Sequence, residues 1–268
     1  MRERERLNLI LVLLWPIIAV CISAFLEETG IFHQNFFVSI ILFLALPSIY
    51  LSFYIRDRIL KIFIASLVGS IPIMIIVEYF GQLSNTWSFP PSVFPFSIGG
   101  LIIIEALLWA FFNVYYVIIF YEYFLDHHVT HHLVEPRMKY LLIGLLMAFV
   151  LFIFVILNFS TRSIPYFYFI FGVVVFAIPV ILQFTSYSHH KKIVVKMVKA
   201  GAYFFYLSFI YELVALHYGW WSFPSENFIG WVILFNFRFP IEELTWWIML
   251  FALAVLSCYE FFDNNEPM

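Results

Sequence analysis

Apolar residues run along this chain in long blocks, and short polar breaks separate them. The blocks are apolar all round rather than along one stripe, the pattern of helices that meet no water. Each is about 18–24 residues long, enough to cross a bilayer core of about 30 Å. Eight such segments are expected, at residues 7–26, 37–54, 59–80, 100–124, 140–158, 166–184, 194–216 and 239–262. The breaks carry the charge. With the N-terminus placed inside, the inner breaks hold Arg2, Arg4, Arg6, Arg56, Arg58, Lys61, Arg137, Lys139, Lys191, Lys192, Lys196 and Lys199, and the outer breaks hold Arg162 and Arg238. Cytoplasmic loops are the ones enriched in Lys and Arg. The expectation is an all-α integral membrane protein with eight transmembrane helices, multi-pass in the cell (cytoplasmic) membrane, both termini cytoplasmic. The basic N-terminus does not read as a cleaved signal, because its apolar run is long and has a partner at 140–158.

The pattern also repeats. Glu78 is followed nine residues later by Trp87-Ser88-Phe89-Pro90, and Glu212 nine residues later by Trp221-Ser222-Phe223-Pro224. Ile104-Glu105 recurs as Ile241-Glu242, Trp109 as Trp246, and Tyr121-Glu122-Tyr123-Phe124 as Tyr259-Glu260-Phe261-Phe262. Two tandem four-helix repeats are therefore expected, residues 1–136 and 137–268. Four crossings return the chain to its starting side, so the halves share one orientation about a pseudo-two-fold axis along the membrane normal. The outer connections 81–98 and 217–238 are rich in Trp, Phe and Pro. Residues 228–239 are mostly apolar yet carry Asn236 and Arg238, which suggests a cap folded back onto the protein, with Pro240 opening the last helix.

Composition fits this picture. Apolar residues make up 64% of the chain and charged ones 12%, whereas soluble domains are about 45–50% apolar. Cys21 and Cys258 both lie in apolar segments, so neither a disulfide framework nor a cysteine metal site is indicated. The three aspartates, Asp57, Asp126 and Asp263, do not form an Asp-rich magnesium motif. No lysine lies deep in a helix to anchor a retinal Schiff base, and no glycine fingerprint for a flavin or nicotinamide is present. His128-Val129-Thr130-His131-His132, with His127, has the spacing of a di-iron histidine box, and His189-His190 lies on the same side. Such a site draws on about three boxes, so a solvated loop is the preferred reading and no metal is expected.

The chemistry-bearing residues are Glu78, Glu105, Glu212, Glu242 and Glu243. An ionised side chain at membrane depth costs on the order of 2.5–3.5 kcal/mol or more, which favours a neutral acid able to donate a proton. Glu242 and Glu243 are adjacent on a helix and point about 100° apart, so they cannot both face one pocket centre. In the first half Glu105 matches Glu242, but Ala106 stands where Glu243 would be. The second half is thus the better candidate for the reacting centre. His217, whose counterpart is Leu83, also belongs to the second half. Aromatic residues form 22% of the chain and suit either a cation or a flat polyene. Trp87, Phe89, Trp109, Trp221, Phe223, Trp246 and His217 are the candidate substrate-binding residues.

Phe239-Pro240-Ile241-Glu242-Glu243-Leu244, preceded by Gly219-Trp220-Trp221-Ser222-Phe223 and followed by Tyr259-Glu260, resembles the lycopene cyclase domain of the heterodimeric or fused membrane type. The likeness touches both halves and is strongest over residues 211–262. The first half differs in carrying Ile103-Ile104-Glu105-Ala106, without the proline or the second carboxylate. Glu78 and Glu212 stand where the family more often has aspartate. The resemblance implies acid–base cyclisation of the acyclic end groups of lycopene or a related carotenoid, with no redox change and no cofactor. Glu242, Glu243 and Glu212 would then form the proton-donating centre, with Glu78 and Glu105 as its reduced counterpart. The expected partners are a carotenoid drawn from the lipid phase and membrane lipids, not nucleic acid; a homo-oligomer is left open. A carotenoid or isoprenoid hydratase or isomerase, and a non-catalytic carotenoid- or lipid-binding membrane protein, are the alternatives.

Overall fold

A computed structural model of the chain describes residues 3–29, 35–126, 136–158, 163–186 and 191–262. The histidine-rich link, His127 to His132, and His189-His190 lie outside the described residues. Within them the chain is mostly helical, in eight successive rods. These are α1 (Glu3–Thr29), α2 (Phe36–Ser52), α3 (Ile59–Leu83), α4 (Ile104–Asp126), α5 (Pro136–Asn158), α6 (167–186), α7 (Lys191–Tyr218) and α8 (243–262). Six of them, α1, α3, α4, α6, α7 and α8, are long and apolar enough to cross a membrane. Helix α2 and the stretch Ile143–Phe152 of α5 are apolar but shorter.

Two segments begin later than the apolar pattern suggested, because each is preceded by a small hairpin. Gly99 and Gly100 both have positive φ and turn β1 (Ser97–Ile98) back onto β2 (Ile102–Ile103), so α4 starts at Ile104 rather than near Gly100. In the second half β3 (Trp231–Leu234) pairs antiparallel with β4 (Phe237–Pro240). The two linking residues, Phe235 and Asn236, both have positive φ, as a two-residue turn that matches strand twist requires. The base of this hairpin folds inward as a cap would, with Phe228 and Phe239 buried. Its tip does not, since Ile233 and Phe235 are exposed.

Of the six long rods α4 is the most enclosed. Of its apolar window 72% is buried, against 22% for α1 and α3 and 50% for α8. Helices α4 and α8, at whose starts Glu105 and Glu242-Glu243 stand, pack on one another. The Tyr116 and Tyr203 hydroxyls, 2.6 Å apart, tie α4 to α7, and Tyr203 reaches on to the Val12 carbonyl of α1 at 3.1 Å.

The same devices recur in both halves. Helix α2 widens into a π turn at Ile41–Ala45 just before Pro47, and α6 does so at Val173–Ala177 just before Pro179. Proline lacks the N–H and its ring clashes with the carbonyl four residues back; a local π turn absorbs both effects. Helix α3 ends on Asn85 and α7 on Gly219, both left-handed. The amides that follow, Thr86 and Trp220, return to the Gly81 and Ala215 carbonyls at 2.8 and 2.9 Å. Asn and Gly are the residues that accept this C-terminal conformation at low cost.

At the opposite end from the hairpins, Glu122 accepts hydrogen bonds from Arg58 at 2.7 Å and from Tyr259. Lys196 pairs with Asp126 at 3.1 Å. The repeated Tyr-Glu pair therefore locks the end of α8 onto the end of α4. Cys21 and Cys258 are free thiols.

Candidate functional site

The helix-end geometry explains why Glu and Trp sit nine residues apart. After the left-handed residue the chain doubles back, and the tryptophan two residues later falls onto the last turns of its own helix. Trp87 Nε1 donates to Glu78 Oε2 at 2.9 Å, and Gln82 Nε2 donates to the other carboxylate oxygen at 2.8 Å. Trp221 Nε1 lies 3.2 Å from both oxygens of Glu212. Gly81 makes room for the first of these seats: a Cβ there would overlap the Trp87 ring. The next residue of each copy then joins the halves. Ser88 and Ser222 exchange two backbone hydrogen bonds of 2.9 Å as an antiparallel bridge, so the two Trp-Ser-Phe-Pro segments meet face to face.

Between them lies a cavity of about 50 Å³. It is lined by Trp87, Phe89, Trp221 and Phe223 from the paired segments, and by Phe36, Met74, Trp109, Tyr168, Glu243 and Trp247. The walls are aromatic and cross the halves. The Trp87 ring meets Tyr168 edge-on at 5.3 Å, and Trp221 meets Phe36 edge-on at 5.5 Å. Phe36 also stacks on Phe89 at 5.0 Å. Each tryptophan of one half thus packs on the opening residues of the second helix of the other.

All five glutamates are buried, but they do different things. Glu243 lines the cavity and accepts a hydrogen bond from the Tyr168 hydroxyl. Glu78 and Glu212 do not line the cavity; they stand behind the indoles and fix them. Glu105 accepts the Val93 amide at 2.7 Å and the Ser92 hydroxyl at 2.7 and 2.8 Å. Glu242 accepts the Ile229 amide at 2.7 Å. The two matched residues therefore perform one matched task, each holding the preceding connection onto the start of its own helix. Glu242 Oε2 has no partner among the described residues.

Of the residues expected to bind substrate, Trp87, Phe89, Trp109, Trp221 and Phe223 come together at the cavity. Trp246 does not: it lies over Gly172 and near Phe169, at 6.1 Å. Its neighbour Trp247 faces the cavity instead and meets Trp109 edge-on at 4.8 Å. Trp247 stands four residues after Glu243 and so shares its face of the helix, whereas Trp246 stands four after Glu242. His217 is exposed, against Tyr218 and Phe237, and does not line the cavity. Tyr168, Phe36, Met74 and Trp247 were not singled out from sequence. A signal for two of them exists, since Phe36 and Tyr168 each stand eleven residues before the internal proline of their helix.

Fold and site together define a bundle of apolar helices around a buried acid–aromatic centre. Models of protein families, curated proteins and solved structures contain no match to this chain.

Proposed function

We propose that this protein is a membrane carotenoid cyclase that closes the acyclic end groups of lycopene or a close relative. The observation that carries the reading is Glu243: of the buried glutamates it alone lines the cavity, and every other lining side chain is aromatic or Met74. Cyclisation needs those parts and little else. The Glu243 O–H adds its proton to the terminal double bond. The neighbouring double bond supplies the electron pair that closes the ring and leaves a tertiary cation. Loss of an adjacent C–H proton to the Glu243 carboxylate forms the new double bond and restores the acid. The reaction is an isomerisation with no change of oxidation state, so its balance requires no redox partner.

The surroundings favour that sequence. Aromatic faces stabilise a nearby cation by about 0.5–2 kcal/mol each, and the wall presents them on all sides. The apolar lining keeps water from the cation, which favours cyclisation over hydration. Its volume of about 50 Å³ is below the roughly 300–1,000 Å³ of a site holding a small molecule. An end group therefore enters only when lining side chains swing aside. We further read all eight rods as crossings of the cell membrane, in two repeats of one orientation with both termini cytoplasmic; the distribution of Lys and Arg supports this.

The test is expression in lycopene-producing cells followed by chromatography of the pigments. Cyclic carotenoids are expected. Hydroxylated acyclic products would make the protein a hydratase, and unchanged lycopene beside well-expressed protein would leave a binding role.

A further inference from the structure

We propose that Tyr168 is a positioning residue for the proton-transferring carboxyl: it holds one oxygen of Glu243 so that the other faces the reacting double bond. The proposal rests on the cyclase reading. Three observations lead to it. The Tyr168 ring is fully buried, lines the cavity, and donates its hydroxyl hydrogen to Glu243 Oε2. The ring is itself held, edge-on to Trp87 at 5.3 Å and to Phe228 at 6.3 Å, and Trp87 is fixed by Glu78. A rigid path thus runs from the first half to the carboxyl of the second.

The third observation is a comparison the chain makes with itself. Phe36 is the first-half counterpart of Tyr168. It stands at the same distance before the internal proline, at the start of the matching helix, and it packs on Trp221 as Tyr168 packs on Trp87. Ala106 is the counterpart of Glu243. The first half lacks the hydroxyl and the carboxyl together, while its buried pins, Glu78 and Glu105, remain. A tyrosine serving only to fill space would have no reason to be polar solely beside Glu243.

The hydroxyl would act twice in the cycle. Before protonation it restricts rotation of the carboxyl, so that the acidic oxygen points into the cavity. After protonation it donates to the carboxylate that remains until the substrate returns a proton. Charge-assisted hydrogen bonds of this kind are the strong ones, and removing such a donor raises the barrier rather than weakening substrate binding.

The experiment compares the full-length wild type and Tyr168→Phe in liposomes loaded with lycopene, with the infrared band of the Glu243 carboxyl identified by its loss in Glu243→Gln. Tyr168→Phe is expected to lower kcat by roughly 10- to 100-fold, the equivalent of one hydrogen bond to a charged group, with KM changed less than about twofold. The carboxyl band should move to higher frequency, which a space-filling role would not cause. Wild-type kinetics and an unmoved band in the variant would overturn the proposal while leaving the cyclase reading intact. Unchanged lycopene with the wild type would remove the cyclase reading, and the band alone would then decide the pairing. Should Tyr168→Phe not fold, the wild-type band decides: a frequency typical of a carboxyl without a donor overturns the proposal.

Discussion

Adjacent glutamates on one helix separate into two jobs. Glu243 faces the aromatic cavity, while Glu242 accepts the Ile229 amide and belongs with Glu105, which accepts the Val93 amide. Glu243→Gln keeps the volume and removes the transferable proton. It is expected to lower turnover at least about 10²-fold, the usual contribution of a general acid, with the protein still in the membrane. Glu242→Gln retains an acceptor oxygen for Ile229, so cyclisation should persist. Pigment analysis of the two variants side by side checks this, and a dead Glu242→Gln beside an active Glu243→Gln would reverse the assignment. Glu242→Ala takes the acceptor from the Ile229 amide and should cost about 1 kcal/mol of stability, read as a lower thermal midpoint in detergent. From sequence the pair could be split by angle but not assigned, because the partner of Glu242 lies in a loop thirteen residues earlier and that of Glu243 on a helix 75 residues earlier.

The Glu-to-Trp spacing belongs to the level of the helix. It was visible as a repeat, and its physical basis is a helix end that reverses the chain. Gly219 and Asn85 are the hinges of that reversal, both left-handed. Gly219→Ala should destabilise by about 1 kcal/mol or more through the strain of a Cβ in that conformation, whereas Asn85→Gly should be close to neutral. Thermal unfolding of the two variants tests the contrast. Gly81→Ala is a separate case, for the added methyl would strike the Trp87 ring. A loss of about 1–3 kcal/mol is expected from overpacking, together with altered Trp87 fluorescence. The hairpins before α4 and α8 were not legible. Their strands are two to four residues long, and Phe235-Asn236 is not a dipeptide that announces a tight turn.

Across the whole molecule, contacts join the two halves at both ends and at the centre. Ser88 pairs with Ser222, Tyr259 reaches Glu122, and each indole packs on the other half's second helix. The halves are therefore expected to unfold together. Tyr259→Phe removes a hydrogen bond to a carboxylate already held by Arg58 and should lower the single transition by about 1.5–3 kcal/mol rather than create two. Orientation is tested apart from stability. Reporter fusions after Lys139 and after Arg238 should lie on opposite sides of the membrane, and matching signals would refute eight crossings with both termini inside.

The sequence by itself determined the helical class, the solvent of the outer surface, the repeat and five of the buried acids. Those follow from local apolarity, from the cost of charge in lipid, and from residue identity, none of which needs the chain's path. The tertiary structure alone decided which acid faces the cavity, why Trp247 rather than Trp246 lines it, and that Tyr168 is the partner of Glu243. Each depends on rotation about a helix axis or on contact between segments far apart in the chain. A π turn or a hairpin changes that rotation without leaving a periodic mark in the sequence. Tyr168 and Glu243 lie 75 residues apart, and only the packing of α6 against α8 brings hydroxyl and carboxyl together.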